Sequence, residues 1–206
     1  MSPFLTKASR FILKISGWTL VGRPPTEKKF MCLAAPHTSI IDGVWMVLAA
    51  FSLGFRPDYL VKRDYAEGIF GRWVLWSGGI PVMSGAGANK VEEVVNLVNG
   101  LDRVHLLLAP AGTRRKREGW RSGFYHIARG TDLPIYCAFL DFKTRRMGLN
   151  SEPIYLSDDI KADMDKIRAF YSGMEGKHPE KMTEMVIREE EMATEEIESQ
   201  IENHKS

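Results

Sequence analysis

Short apolar runs alternate along this chain with stretches of helical periodicity, and that alternation limits the fold more sharply than any other feature. Residues 30–35, 59–62, 80–82, 104–109 and 133–142 have the length and apolar character of buried strands. Between them, residues 42–53, 68–77, 89–101 and 122–129 place apolar side chains at helical spacing; Val91, Val94, Val95 and Val98 share one side of the third of these. A repeated strand-then-helix order predicts an α/β fold with a mostly parallel central sheet flanked by helices. A basic turn at 143–148 leads to an expected last strand near 153–156, antiparallel at the sheet's end. Ser157-Asp158-Asp159 then opens a helix with Ile160, Met164, Ile167, Phe170 and Tyr171 on its apolar side. Beyond Gly173, a Pro179-initiated helix carrying Met182, Met185, Val186 and Met192 is expected, growing more polar towards the end.

This organisation divides the chain into residues 1–22, a core domain at 23–175 and an acidic helix or tail at 176–206. The first segment is amphipathic, with Phe4, Leu5, Ala8, Phe11, Ile12 and Ile15 recurring at helical spacing and Lys7, Arg10 and Lys14 mostly to the other side. Such a helix either lies in a membrane interface or packs its apolar face on the protein's own core. Of 206 residues, those at 1–156 carry 21 Lys+Arg against 12 Asp+Glu, whereas 157–206 carry 7 against 14. The basic body suits an anionic ligand or an anionic membrane surface; no basic groove with interleaved aromatics points to nucleic acid. No stretch reaches the ~20 apolar residues of a transmembrane span. No secretory signal is evident, and Cys32 and Cys137 sit in strand-like runs without zinc spacing, so a reduced, cytosolic setting with peripheral membrane contact is expected.

Chemistry concentrates just after the first long strand, in Pro36-His37-Thr38-Ser39-Ile40-Ile41-Asp42. Five positions on a helix turn about 500°, so His37 and Asp42 cannot share a helix face. They can meet if His37 leaves the strand on a loop and Asp42 stands on the first turn of the next helix. The carboxylate would then orient the ring and stabilise its protonated form, preparing the histidine as a general base. Asp42 also fits the reciprocal position of a capping box with Ser39, and its two oxygens allow both roles. A second cluster, Pro110-Ala111-Gly112-Thr113-Arg114-Arg115-Lys116-Arg117, follows the strand at 104–109. A glycine turn with guanidinium groups at a strand's carboxyl end makes an anion cradle, Arg114 being the best placed and the residues after it also readable as a solvated loop. His105 and His126 read as structural. Trp45, Met46, Phe51, Trp73 and Trp76 suit either core packing or an acyl-chain groove.

With these residues in view, the chain resembles the glycerolipid acyltransferases of the lysophosphatidate acyltransferase (PlsC-like) type. His37 to Asp42 resembles the family's first block, Gly79-Ile80-Pro81-Val82 the second, Pro110 to Arg114 the third, and Leu133-Pro134-Ile135 the fourth, in order over residues 30–142. The resemblance implies acyl transfer from a coenzyme A or acyl-carrier-protein thioester to the hydroxyl of a lysophospholipid or related lipid. His37 and Asp42 would be catalytic, and Gly112, Thr113, Arg114, Arg115 and Pro134 would bind substrate. It calls for no metal or redox cofactor. Two departures bear on the acceptor: Ala111 stands where the family carries a glutamate, and Met83-Ser84-Gly85-Ala86-Gly87 lacks the arginine that normally follows the second block. They prompt a second expectation, a non-catalytic lipid- or acyl-carrier-binding protein on the same scaffold.

Overall fold

The computed structural model describes residues 1–67, 71–82, 88–190 and 192. Seven strands form one sheet: β1 (Thr19–Val21), β2 (Lys29–Ala35), β3 (Asp58–Lys62), β4 (Gly79–Val82), β5 (Val104–Leu108), β6 (Ile135–Asp141) and β7 (Arg146–Leu149). Their order is β1-β7-β6-β2-β5-β3-β4. The section β6-β2-β5-β3-β4 is parallel, β7 pairs antiparallel with β6, and β1 runs parallel to β7. This is the mostly parallel, helix-flanked α/β sheet that the strand–helix alternation predicts.

The helices are α1 (Pro3–Ile15), α2 (Ile41–Leu53), α3 (Arg63–Glu67), α4 (Gly71–Ser77), α5 (Ala88–Asn99), α6 (Gly123–Thr131) and α7 (Ile160–Tyr171). Strand β2 is buried on both faces because its side chains alternate between two cores. Met31, Leu33 and Ala35 meet α5, α6 and α7, while Phe30, Cys32 and Ala34 meet α1 and α2. β6 repeats this pattern, with Ile135, Cys137 and Phe139 on one side and Tyr136, Ala138 and Leu140 on the other. Both strands are therefore apolar without interruption, as central parallel strands must be. Chain order then sets the geometry: β2 leads through α2 to β3, and the later β5 returns to fill the gap between them. The carboxyl ends of β2 and β5 become neighbours at the point where the sheet's order reverses, where open α/β sheets bind ligands.

Three local expectations change. The basic turn expected at 143–148 keeps only residues 143–145 as turn, its second half, 146–148, being strand. Asp141 caps a tight turn by accepting from the Lys143 amide and the Thr144 hydroxyl, Arg145 takes φ 56°, and β7 begins at Arg146 with Met147 and Leu149 buried. The strand expected near 153–156 shrinks to an isolated bridge between Ile154 and Ile135. The Pro179 helix is one 3-10 turn, Pro179–Lys181, and helix returns only at residues 188–190 and 192; part of the expected helix at 68–77, residue 191 and the tail at 193–206 lie outside the described residues.

After α7 the chain reverses at Gly173 (φ 76°) and runs back over the carboxyl ends of the strands as an extended strap. Glu175 exchanges backbone and side-chain bonds with Phe142 and Asp141, the His178 amide donates to Thr38 Oγ1 at 3.1 Å, and the Trp120 amide donates to the Val186 carbonyl at 2.8 Å. The strap passes so close that a Cβ at Gly176 would stand 2.8 Å from Thr38, so only glycine fits without displacing it.

Helix α1 buries Ser9 and Leu13 against the body and turns Phe4, Phe11 and Ile15 outward, at 76, 64 and 67 % exposure. The helix packs on the core, but through Ser9 and Leu13, outside the apolar set read from the sequence, whose Phe4, Phe11 and Ile15 stay uncovered. Ile40 and Val44, at the start of the neighbouring α2, are also exposed. Among the described residues no helix is long and apolar enough to cross a membrane.

Candidate active site

His37 stands just beyond the carboxyl end of β2, after a cis Ala35–Pro36 peptide bond, and Asp42 occupies the first turn of α2. Thr38 and Asp42 are buried, whereas a quarter of the His37 side chain is exposed. Asp42 Oδ2 accepts from the backbone amides of Thr38 and Ser39 at 2.7 and 2.8 Å and lies 3.5 Å from His37 Nδ1. The capping role and the histidine contact therefore fall on the same oxygen. Asp42 Oδ1 is buried with no hydrogen-bond partner. Two amides and the N-terminal end of α2 stabilise a negative carboxylate here. With its Nδ1 turned to that carboxylate, the ring presents Nε2 for proton transfer.

The space beside the ring is small, about 10 Å³, and lies between His37, Pro110, Ala111, Trp120, Met182 and Met185. Ala111 is nearly buried at this wall, so its methyl leaves the wall apolar where the resemblance expects a carboxylate.

The loop after β5 turns at Gly112, whose φ of 64° and amide bond to the Ala109 carbonyl (2.9 Å) need a residue without Cβ. A Cβ there would meet Arg121 Cδ and Nε at 2.9 Å, because the Arg121 side chain lies across the glycine. The Arg121 amide donates to the Pro110 carbonyl at 2.9 Å, and Thr113 Oγ1 accepts from the Arg115 amide at 3.2 Å. Next to this turn opens a groove of about 1050 Å³ between α5 and α6. Val91, Val94, Val95, Leu108, Phe124 and Ile127 form its apolar walls, and Lys90, Arg117, Arg121 and Arg188 its cationic rim. Glu92, His126 and Glu189 also face it, the last two joined at 2.9 Å. Burial pushes the Glu189 carboxyl upward, but hydrogen bonds from Ser122 and His126 outweigh it and leave a net downward shift.

The structure thus brings His37, Asp42, Gly112 and Thr113 to one edge of the sheet. Arg114 and Arg115 are exposed on the same loop but line neither space. Pro134 is at the opposite edge: it precedes β6, whose first residue pairs with Met31, and its carbonyl accepts the Met31 amide at 2.9 Å. Its backbone role there is structural, because the parallel register carries the proline away from the histidine end. Met46 is buried in the α1–α2 core and Trp45 packs on Trp18, their ring centroids 5.5 Å apart, so neither lines the groove. The residues 83–87, with the departure from the second block, lie outside the described residues. His105 is structural, stacked on Phe30 and held by the Arg56 carbonyl; burial lowers its pKa. Among the described residues no three His, Cys, Asp or Glu side chains cluster as metal ligands do.

Sequence reasoning did not assign Arg121 or Arg188. The first stands in the run Trp120-Arg121-Ser122-Gly123 that follows the basic cluster, without a role of its own there; the second sits inside an acidic tail, where nothing marks it.

No protein-family model matches the chain, and no curated protein matches it. Among solved structures it is similar to the 1-acyl-sn-glycerophosphate (LPA) acyltransferase PlsC from Thermotoga maritima, with a TM-score of 0.53 over 81 % of this chain and 76 % of that one. Sequence identity is 14 %, so the likeness is one of fold.

Proposed function

We propose that this protein is an acyltransferase that moves a fatty acyl group from a coenzyme A or carrier-protein thioester to the hydroxyl of a lysophospholipid or related lipid. The observation that carries the reading is the His37–Asp42 pair, 3.5 Å apart at the carboxyl end of a central parallel strand. The fold it shares with an LPA acyltransferase supports the reaction class. In the reaction His37 Nε2 takes the acceptor's hydroxyl proton while the oxygen attacks the thioester carbonyl. The new C–O ester bond forms, the C–S bond breaks, and the thiolate leaves with the proton held on the ring. General-base assistance of this kind is worth on the order of 10²–10⁴ in rate.

The groove between α5 and α6 suits the apolar chain of a substrate, and Arg117, Arg121 and Arg188 suit an anionic head group. Gly112 and Thr113 shape that loop; Arg114 and Arg115 extend its positive surface outward. The uncovered faces of α1 and α2, with Lys7, Arg10 and Lys14 nearby, support attachment to an anionic membrane surface. A second reading, a non-catalytic lipid- or acyl-carrier-binding protein on the same scaffold, is favoured by the closeness of the walls around His37.

The deciding experiment is His37→Gln measured against the wild type over a panel of lysolipids and lipid alcohols with one labelled acyl thioester. Turnover that falls at least ~100-fold with an unchanged thermal melt supports the base; near-normal turnover removes it. Lipid binding without turnover in the wild type selects the non-catalytic binding protein.

A further inference from the structure

We propose that the small space beside His37 is an oxyanion site, and that the Thr183 hydroxyl and the Trp120 indole N–H are its donors. The inference rests on the reading of His37 as the reacting base and adds two catalytic residues to that site.

Size points to a single atom. The space measures about 10 Å³, and His37, Thr183 and Trp120 line it together. That is room for about one water molecule, and hence for one carbonyl oxygen. A quarter of the His37 side chain is exposed, so the rest of a thioester and its alcohol can stand outside, against the open part of the ring.

Hydrogen bonding points to an atom that accepts. Trp120 is only 6 % exposed, and a buried indole N–H ordinarily has a partner. Among the described residues, however, Trp120 Nε1 donates to no group. Thr183 Oγ1 accepts from the Arg117 amide at 3.2 Å, and its own hydrogen also has no acceptor among the described residues. Donors left without acceptors cost stability until a ligand atom answers them. The Ala111 methyl and the Met182 and Met185 side chains complete the walls without adding negative charge.

Both donors are fixed in advance. The Trp120 ring packs edge-on with Phe124 and Tyr171, each centroid 6.0 Å away. The segment carrying Thr183 is held by Arg168 on the Met185 carbonyl (3.0 Å), by the Trp120 amide on the Val186 carbonyl (2.8 Å) and by buried Ile187. Fixed donors in an apolar setting stabilise developing charge without reorganising. As the alcohol oxygen adds to the carbonyl carbon, its proton passes to His37 Nε2 and the carbonyl π pair moves onto the oxygen, where the two donors receive it. Collapse re-forms the C=O bond, breaks the C–S bond and releases the thiolate.

Turnover of a labelled acyl thioester, and of its dithioester analogue with sulfur in place of the carbonyl oxygen, tests the site. Thr183→Val keeps the shape and removes the hydroxyl. It should lower kcat by about 100-fold with KM and the thermal melt little changed, whereas Thr183→Ser should stay within ~3-fold of the wild type. Sulfur is larger and a weak acceptor, so the wild type's preference for oxygen should shrink at least ~10-fold in Thr183→Val and in Trp120→Phe. A change of packing alone would leave that preference as it was. Undiminished kcat in Thr183→Val, or an unchanged preference in either variant, overturns the proposal. The monomethyl ester of dodecylphosphonate, a singly charged tetrahedral mimic, reads the site without turnover. Its Kd should rise ~10-fold in Thr183→Val; equal affinity, or no binding to the wild type, overturns the proposal. If the wild type turns nothing over and this difference in affinity holds, the base assignment fails and the oxygen-accepting site stands.

Discussion

Replacing Asp42 with asparagine separates its two roles. The amide oxygen of the new side chain can still accept from the Thr38 and Ser39 amides, while the charge beside His37 disappears. At 3.5 Å and an effective dielectric near 20, a full imidazolium–carboxylate attraction is about 5 kcal/mol. With the proton half transferred, and a quarter of the ring in water, about 2 kcal/mol of that acts in the transition state. Asp42→Asn should therefore lower kcat/KM by ~30-fold, measured as thiol released from an acyl thioester. Stability should change by less than ~1 kcal/mol in urea, because both backbone bonds persist and one unpartnered buried atom replaces another. Asp42→Ala removes both bonds as well and should cost about 2–4 kcal/mol of stability. An asparagine variant with undiminished turnover would show that the carboxylate only caps α2, and the account of His37 as a polarised base would be refuted.

Other outcomes follow from single contacts. Phe11→Glu with Ile15→Glu changes two outward side chains of α1, and should weaken sedimentation with anionic vesicles by about 100-fold without altering the melt; unchanged sedimentation would mean that this face meets no membrane. Gly112→Ala forces a Cβ onto Arg121 at a left-handed position. It should cost about 1–2 kcal/mol in urea and weaken binding of lysophosphatidate; an unaffected variant would contradict the packing of Arg121. Burial pushes the Cys137 thiol up to about 12 and Cys32 higher still, so both stay protonated well above neutral pH. At pH 8 the thiolate fraction of Cys137 is about 10⁻⁴, so a thiol reagent should find neither cysteine in the native protein and both in denaturant; rapid native labelling would refute their burial.

What could be read from the sequence was local. The β2–α2 turn was legible because six consecutive buried side chains of β2 are apolar and the His37-to-Asp42 spacing leaves few geometries. β7 was hidden because Arg146 and Gly148 interrupt the two side chains, Met147 and Leu149, that reach the core. For α1 the helical spacing picked out Phe4, Leu5, Ala8, Phe11, Ile12 and Ile15, whereas the buried stripe, Ser9 and Leu13, lies outside that set. Only the packing against α2 decides that Leu13 goes in while Phe11 and Ile15 stay out. Met182, Met185 and Val186 have a spacing that a helix shares with an extended segment lying on a sheet edge. The latter is seen, since the bonds that hold it come from Trp120 and Arg117, 66 residues earlier in the case of Arg117 and Thr183. Arg188 reaches the groove by the same long-range route.

The division of β2 between two cores has a thermodynamic consequence. Substitutions at Cys32 or Ala34 are felt by α1 and α2, and those at Leu33 or Ala35 by α5, α6 and α7, so paired changes across the sheet should combine additively. His37 and Asp42 are the exception. The histidine follows the strand both layers share, and the aspartate belongs to α2. Non-additive energies between the two halves of the molecule should therefore concentrate in that one turn.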